Sequence, residues 1–317
     1  MPRFPSLSVL AAAACLLLAG PAAAMPVYDR DDREDPVEVE DSRTLALADS
    51  TAALFESGRV VLRGGRAYLA TKSYQESRRL CPGERFAGQR VGASCSGALV
   101  GPDLLLTAGH CVTDEQNCKG TAFVFGFRVG ADGSTPASVP AGEVYRCAAL
   151  LGRRLEDGRG SDWALVRLDR AVAGRSPLGL SRGPVAKGTP LLVIGHPDGL
   201  PQKVAGNATV LDPSPASYFI TDLDTFEGNS GSPVFDARTR LIAGVLVRGE
   251  DDFDSVKLPD GSRCFKPKVC LKGDCRGEDV TKASEFALLV AGSRRSGNPL
   301  AASSPALESL AQLAAPR

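Results

Sequence analysis

Histidine is scarce in this chain: the 317 residues contain only His110 and His196. A metal centre built from several imidazoles is therefore excluded, and any chemistry needing a histidine base has two positions to choose from. Net charge is missing too. Lys plus Arg and Asp plus Glu number 37 each, so no overall field draws the chain to nucleic acid or to an anionic membrane. No uninterrupted apolar run reaches the roughly 18 to 20 residues that span a bilayer. Long amphipathic helical patterns are absent between Arg59 and Val290, and no internal repeat is legible. What is present is 43% hydrophobic content, enough for one large or two modest domains.

The ends differ in composition from the middle. Residues 1–24 carry Arg3, an apolar run from Val9 to Leu18 and Ala22-Ala23-Ala24, which reads as a secretory signal with a small-residue cleavage site rather than an uncleaved anchor. The chain is expected to be secreted or periplasmic. Residues 25–57 are polar, with eight acidic residues between Asp29 and Asp41, and are expected to be either a disordered tail or a prosegment, with Gly58-Arg59-Val60-Val61 as a processing point. A folded domain is expected over 58–290 and an Ala- and Ser-rich tail over 291–317. Past the signal, eight of the nine cysteines remain, an even number that reads as a disulfide framework in an exported protein. Cys264, Cys270 and Cys275 are too close in sequence for all three to bridge one another, so at least one is expected to reach a distant partner such as Cys81, and Cys118 with Cys147 would span a hairpin. A zinc site at the Cys264 cluster lacks a nearby histidine. No cofactor and no metal is expected.

Between Arg59 and Val290 the pattern is short β-rich runs separated by Gly, Pro and Asp turns: Ser96 to Val100, Leu104 to Thr107, Ala122 to Val129, Trp163 to Leu168, Leu191 to Ile194, Ala205 to Leu211, Tyr218 to Thr221 and Leu241 to Val247. Such a pattern predicts an all-β sandwich or barrel. Within it stand three strings in the order His, Asp, Ser: Thr107-Ala-Gly-His110-Cys111, Ser161-Asp162-Trp-Ala-Leu and Gly228-Asn229-Ser230-Gly231-Ser-Pro. A serine hydroxyl is barely nucleophilic at neutral pH. It needs a histidine to take its proton and a carboxylate to hold that histidine's tautomer. Asp157 and Asp169 compete with Asp162 for the carboxylate role. A hydrolase with its nucleophile in Gly-x-Ser-x-Gly would place the serine first, so that arrangement is excluded.

The three strings resemble the active-site motifs of chymotrypsin-like (trypsin-like) serine proteases, and Gly-Asn-Ser-Gly-Ser-Pro-Val resembles the bacterial glutamyl endopeptidase branch. The resemblance runs from about Cys95 to Gly249. It implies two packed antiparallel β-barrels with the active site in the cleft between them, His110 and Asp162 from the first and Ser230 from the second. It further implies an oxyanion hole from the N–H groups of Gly228 and Ser230, a Cys95–Cys111 bridge, and serine endopeptidase activity on a protein or peptide substrate by a monomer. A catalytically silent binding module or an esterase on the same fold is the alternative. For substrate binding the resemblance marks Asp224, Thr225 and Leu246. Thr225 matches a threonine of the glutamyl endopeptidases, Leu246 stands where those enzymes carry a glutamate-reading histidine, and Asp224 has the offset of the carboxylate that reads Arg or Lys in trypsin. In the animal enzymes an Asp next to the serine pairs with a freed N-terminal amine. Asn229 cannot form that ion pair, so any activation must differ. His196, in Ile194-Gly-His-Pro-Asp-Gly, is read as structural or as lining the cleft. Asp222-Leu-Asp224 lacks the glycine and glutamate of a calcium loop.

Overall fold

Apolar residues alternate between two buried faces along most strands, which is why the short runs fold as a sheet rather than as helices. A computed structural model describes residues 27–271 and 274–295. Its first barrel contains β1 (Thr51–Glu56), β2 (Cys95–Leu99), β3 (Leu104–Thr107), β4 (Thr121–Val124), β5 (Val144–Leu155) and β6 (Asp162–Leu168). The second contains β7 (Pro190–Gly195), β8 (Lys203–Asp212), β9 (Tyr218–Thr221), β10 (Pro233–Asp236), β11 (Ile242–Arg248) and β12 (Glu278–Lys282). Both barrels close, in the orders β1-β2-β3-β6-β5-β4 and β7-β8-β9-β12-β11-β10, with all neighbours antiparallel. The second order is the first shifted by six strands. A topological repeat is thus present where the sequence shows none, because alternation of apolar residues can be kept while every residue changes.

Three cores follow from the alternation. Leu105, Ala164, Val166 and Phe123 fill the first barrel. Val193, Phe219, Leu246 and Val280 fill the second. Leu104, Leu106, Trp163 and Leu165 of one barrel meet Ile194, Phe235, Val245 and Val247 of the other in a shared apolar seam. Burying a side chain of this size contributes about 1.5–3 kcal/mol, so the seam fixes how the barrel ends that carry the three strings face each other.

Residues 27–57 are not a disordered tail, and that expectation is corrected. Thr51–Glu56 is barrel strand β1, registered Thr51↔Ala98 against β2 and Phe55↔Ala122 against β4. A cut after residue 57 would remove a strand from the first barrel. Before it, helix α1 (Ser42–Asp49) packs Ala48 into the seam. The acidic residues find distant cations: Asp35 meets Lys203 at 2.5 Å, Asp41 meets Arg240 at 2.7 Å and Asp49 meets Arg128 at 2.6 Å. The boundary at 290/291 falls inside helix α2 (Ala287–Arg295), which buries Val290 and sets Phe286 against Trp163 of the first barrel. The signal at residues 1–24 and the tail from 296 onward lie outside the described residues.

Four disulfides join Cys81–Cys264, Cys95–Cys111, Cys118–Cys147 and Cys270–Cys275. The first spans 183 residues and staples the segment before β2 to the hairpin Phe253–Lys257/Arg263–Pro267. All eight cysteines past the expected signal are therefore paired, and none is free to ligate zinc.

Candidate active site

After β3 the chain turns sharply through Ala108-Gly109-His110-Cys111, and the Cys95–Cys111 bridge ties this turn back to β2. Gly109 is required there. A Cβ at this position would lie 2.2 Å from the Arg154 carbonyl oxygen and 2.9 Å from that of Trp163. With none, the Gly109 N–H reaches the Asp162 Oδ1 at 2.6 Å, and the His110 N–H reaches the same oxygen at 3.1 Å. Asp162 opens β6 and is 1% exposed, so its charge is held by these donors rather than by water. Its other oxygen, Oδ2, stands 2.8 Å from His110 Nδ1. An ionised carboxylate only accepts, so Nδ1 carries the proton and Nε2 keeps its lone pair. Asp157 and Asp169 are both exposed, and Asp169 is occupied by Arg170. Asp162, unlike these two, is buried and faces His110.

Ser230 lies on the turn leading into β10. Gly228 and Gly231 flank this turn with φ of +88° and +86°, values that only glycine adopts readily. A Cβ on Gly231 would sit 2.1 Å from the Ser96 carbonyl oxygen, and one on Gly228 would sit 2.7 Å from that of His196. The Ser230 carbonyl accepts from the Ser96 N–H at 2.8 Å, which stitches the second barrel's turn to β2 of the first. Ser96, read from the sequence only as the start of a strand, also donates its hydroxyl to the Gly228 carbonyl at 2.9 Å and accepts from the His196 N–H at 3.0 Å. Among the described residues, none accepts from the N–H of Gly228 or Ser230. Those donors are free for a developing anion.

His196 is structural. It is 1% exposed, its Nδ1 lies 3.0 Å from the Leu200 carbonyl, and its ring stacks on Phe127. Burial pushes its pKa from 6.5 down to about 4. A depressed folded pKa gives stability that is complete above 6.5 and is lost as pH falls towards 4, about 3 kcal/mol for this residue. Urea unfolding at pH 7 and pH 4 should show that loss in the natural chain, and His196→Gln should show a pH dependence smaller by that amount.

The three specificity residues are all buried, and the structure corrects the role expected of Asp224. Its Oδ1 accepts from the Tyr28 N–H at 2.6 Å and its Oδ2 from the Asp32 N–H at 2.9 Å, so it faces the N-terminal segment instead of waiting for a basic side chain. Burial, followed by the neighbouring Asp32 carboxyl, pushes its pKa up to about 8. Thr225 donates its hydroxyl to Glu278 at 2.8 Å, and Leu246 packs in the core of the second barrel. Glu278, which the sequence reading missed, is fully buried at the start of β12, also accepts from the Tyr28 hydroxyl, and has its pKa raised chiefly by burial.

A 350 Å³ cavity borders Glu227, next to Gly228, and is walled by Arg78, Arg79, Asp252, Phe253 and Phe265. A larger one of 940 Å³ lies by the N-terminal segment and includes none of His110, Asp162 or Ser230. Asp198, Glu227 and Asp252 converge beside the smaller cavity, but Arg78 already pairs with the first two. Cys95, His110 and Cys111 also cluster, with both sulfurs committed to the disulfide. The Asp222 carboxylate accepts from the Thr209 N–H at 2.6 Å.

The trypsin-like peptidase domain family matches residues 95–243. No curated protein matches the chain in sequence. Among solved structures, a Glu endopeptidase in complex with MPD is similar at 17% identity and a TM-score of 0.50, over 85% of this chain and 99% of that one. Human heparin binding protein is similar at 16% identity and a TM-score of 0.48 (84% and 97%), and so is the Vibrio cholerae VesB protease at 16% and 0.48 (82% and 66%). At such identity the Glu endopeptidase speaks for the fold alone. The two closed antiparallel barrels are those of the chymotrypsin-like fold, and residues 95–243 within them match the trypsin-like peptidase domain family.

Proposed function

We propose that the chain is an exported serine endopeptidase in which Ser230 is the nucleophile, His110 the general base and Asp162 the orienting carboxylate. The observation that carries this reading is the buried Asp162 carboxylate, which takes two backbone N–H groups on Oδ1 and His110 Nδ1 on Oδ2. The Arg248 guanidinium, 3.8 Å from the same Oδ2, adds a cation beside the carboxylate. His110 Nε2 removes the Ser230 hydroxyl proton as Oγ attacks the peptide carbonyl carbon. The carbonyl oxygen becomes an anion and accepts from the N–H groups of Gly228 and Ser230, each such donor being worth about 10²–10³ in turnover. The imidazolium, stabilised by Asp162, returns the proton to the leaving amine, and the C–N bond breaks to leave an acyl-enzyme. Water then enters, loses its proton to Nε2 and releases the acid, restoring Ser230. Four disulfides and the signal-like residues 1–24 support an oxidising compartment outside the cytoplasm.

The test is hydrolysis of a mixed peptide library by the purified chain, read by mass spectrometry. Cleavage at internal bonds, abolished by a sulfonyl fluoride, is the expected result. Turnover of activated esters with no peptide cleaved would replace the endopeptidase by an esterase, and no turnover of either would favour a silent binding module.

A further inference from the structure

Arg33 is 1% exposed, in a segment whose composition reads as expendable. A guanidinium keeps its charge at any working pH and is costly to bury unless it is paired. Its Nε and Nη2 each meet an Asp31 oxygen at 2.8 Å, and its Cζ lies 3.9 Å from the centroid of the Phe226 ring. A buried cation over an aromatic face is held by the ring quadrupole as well as by contact. Phe226 is itself fully buried, and its carbonyl accepts from the Asn229 N–H at 2.9 Å, closing the turn that contains Gly228 and delivers Ser230. Arg33 therefore stacks on the residue whose carbonyl closes that turn.

The segment is fastened on both sides of Arg33. Tyr28 and Asp32 hold Asp224 through their N–H groups, Glu34 pairs with Val204, and Asp35 meets Lys203 in a buried ion pair. Two residues of the loop before Ser230, Asp224 and Phe226, are thus gripped from residues 28–33.

We propose that Arg33 is a positioning residue for the Ser230 turn: fixed by Asp31 and stacked on Phe226, it holds the turn that carries the N–H groups of Gly228 and Ser230. The proposal rests on Ser230 being the nucleophile. Its test compares the full chain with Arg33→Ala, Arg33→Lys and Phe226→Leu, measuring kcat, KM, melting temperature and the affinity of a peptide aldehyde. The aldehyde forms a reversible tetrahedral adduct with the serine, whose oxyanion reports the two N–H groups directly.

Arg33→Ala is expected to lower kcat and weaken the aldehyde by a common factor of about 30, with KM changed by less than about twofold. Arg33→Lys should recover part of both. A folded Arg33→Ala chain with unchanged kcat and aldehyde affinity overturns the proposal, whatever its melting temperature. Should Arg33→Ala fail to fold, Phe226→Leu, which removes the ring face while keeping apolar bulk, must show the same parallel loss, and its absence overturns the proposal equally. A natural chain that neither cleaves peptides nor binds the aldehyde refutes the nucleophile assignment itself, an outcome visible before any variant is made.

Discussion

Ser230→Ala should lower kcat for peptide hydrolysis by at least about 10⁴-fold, leaving at most the residual rate that binding and the oxyanion donors supply. The fold should be unaffected. The turn is held by main-chain bonds that alanine keeps: the Ser230 carbonyl to the Ser96 N–H, the Gly231 N–H to the Leu246 carbonyl and the Ser232 N–H to the Asn229 carbonyl. Circular dichroism and melting temperature should match those of the natural chain within error, so that loss of rate is loss of the hydroxyl and nothing else. Retained hydrolysis would remove Ser230 from the mechanism.

Asp162→Asn should be nearly as damaging, about 10⁴-fold in kcat, for a reason that can be followed atom by atom. Oδ1 accepts from two backbone N–H groups, so an asparagine is forced to place its oxygen there and its NH₂ towards His110. His110 Nδ1 then faces a donor and must become the acceptor. The proton moves to Nε2, which can no longer take one from Ser230. Volume is almost unchanged, so little stability should be lost and the variant should be purifiable. Equal activity in Asp162→Asn would mean that another carboxylate orients the histidine.

Both results depend on side chains that were legible in the sequence, and the reason is local. His110, Asp162 and Ser230 each sit in a short string whose neighbours shape the same local geometry: Gly109 admits the carboxylate, Gly228 and Gly231 turn the backbone, and Cys111 clamps the histidine turn. Local requirements leave local signatures. The N-terminal segment was illegible for the opposite reason. Asp35 finds Lys203 across 168 residues, and Tyr28 finds Glu278 across 250, so a stretch that looks too charged to fold is neutralised by partners no window of sequence contains. Strand β12, Glu278-Asp-Val-Thr-Lys, is missing from the strands read in the sequence for the same reason: Glu278 and Asp279 are charged yet fully buried, the latter between Arg248 and Arg276.

Specificity was the least legible part, because an offset from Ser230 states where a residue falls in the chain and not which way it faces. Asp224 has the offset of a basic-residue reader, but the Tyr28 and Asp32 N–H groups take both of its oxygens. Leu246 alternates with Val245 and Val247 on β11, and that alternation commits its side chain to the second barrel's interior. The side chain that the enzyme prefers is therefore a question for the peptide library and not for these three positions.

The most direct measurement is covalent labelling of the natural chain with a fluorophosphonate, followed by digestion and mass mapping. Such a reagent phosphonylates a serine, with loss of fluoride, only where a base activates it and donors stabilise the developing charge. The expected result is stoichiometric label on Ser230 alone, slowed strongly by Asp162→Asn. A folded chain that takes no label, or takes it on another residue, would contradict the assignment of Ser230, His110 and Asp162.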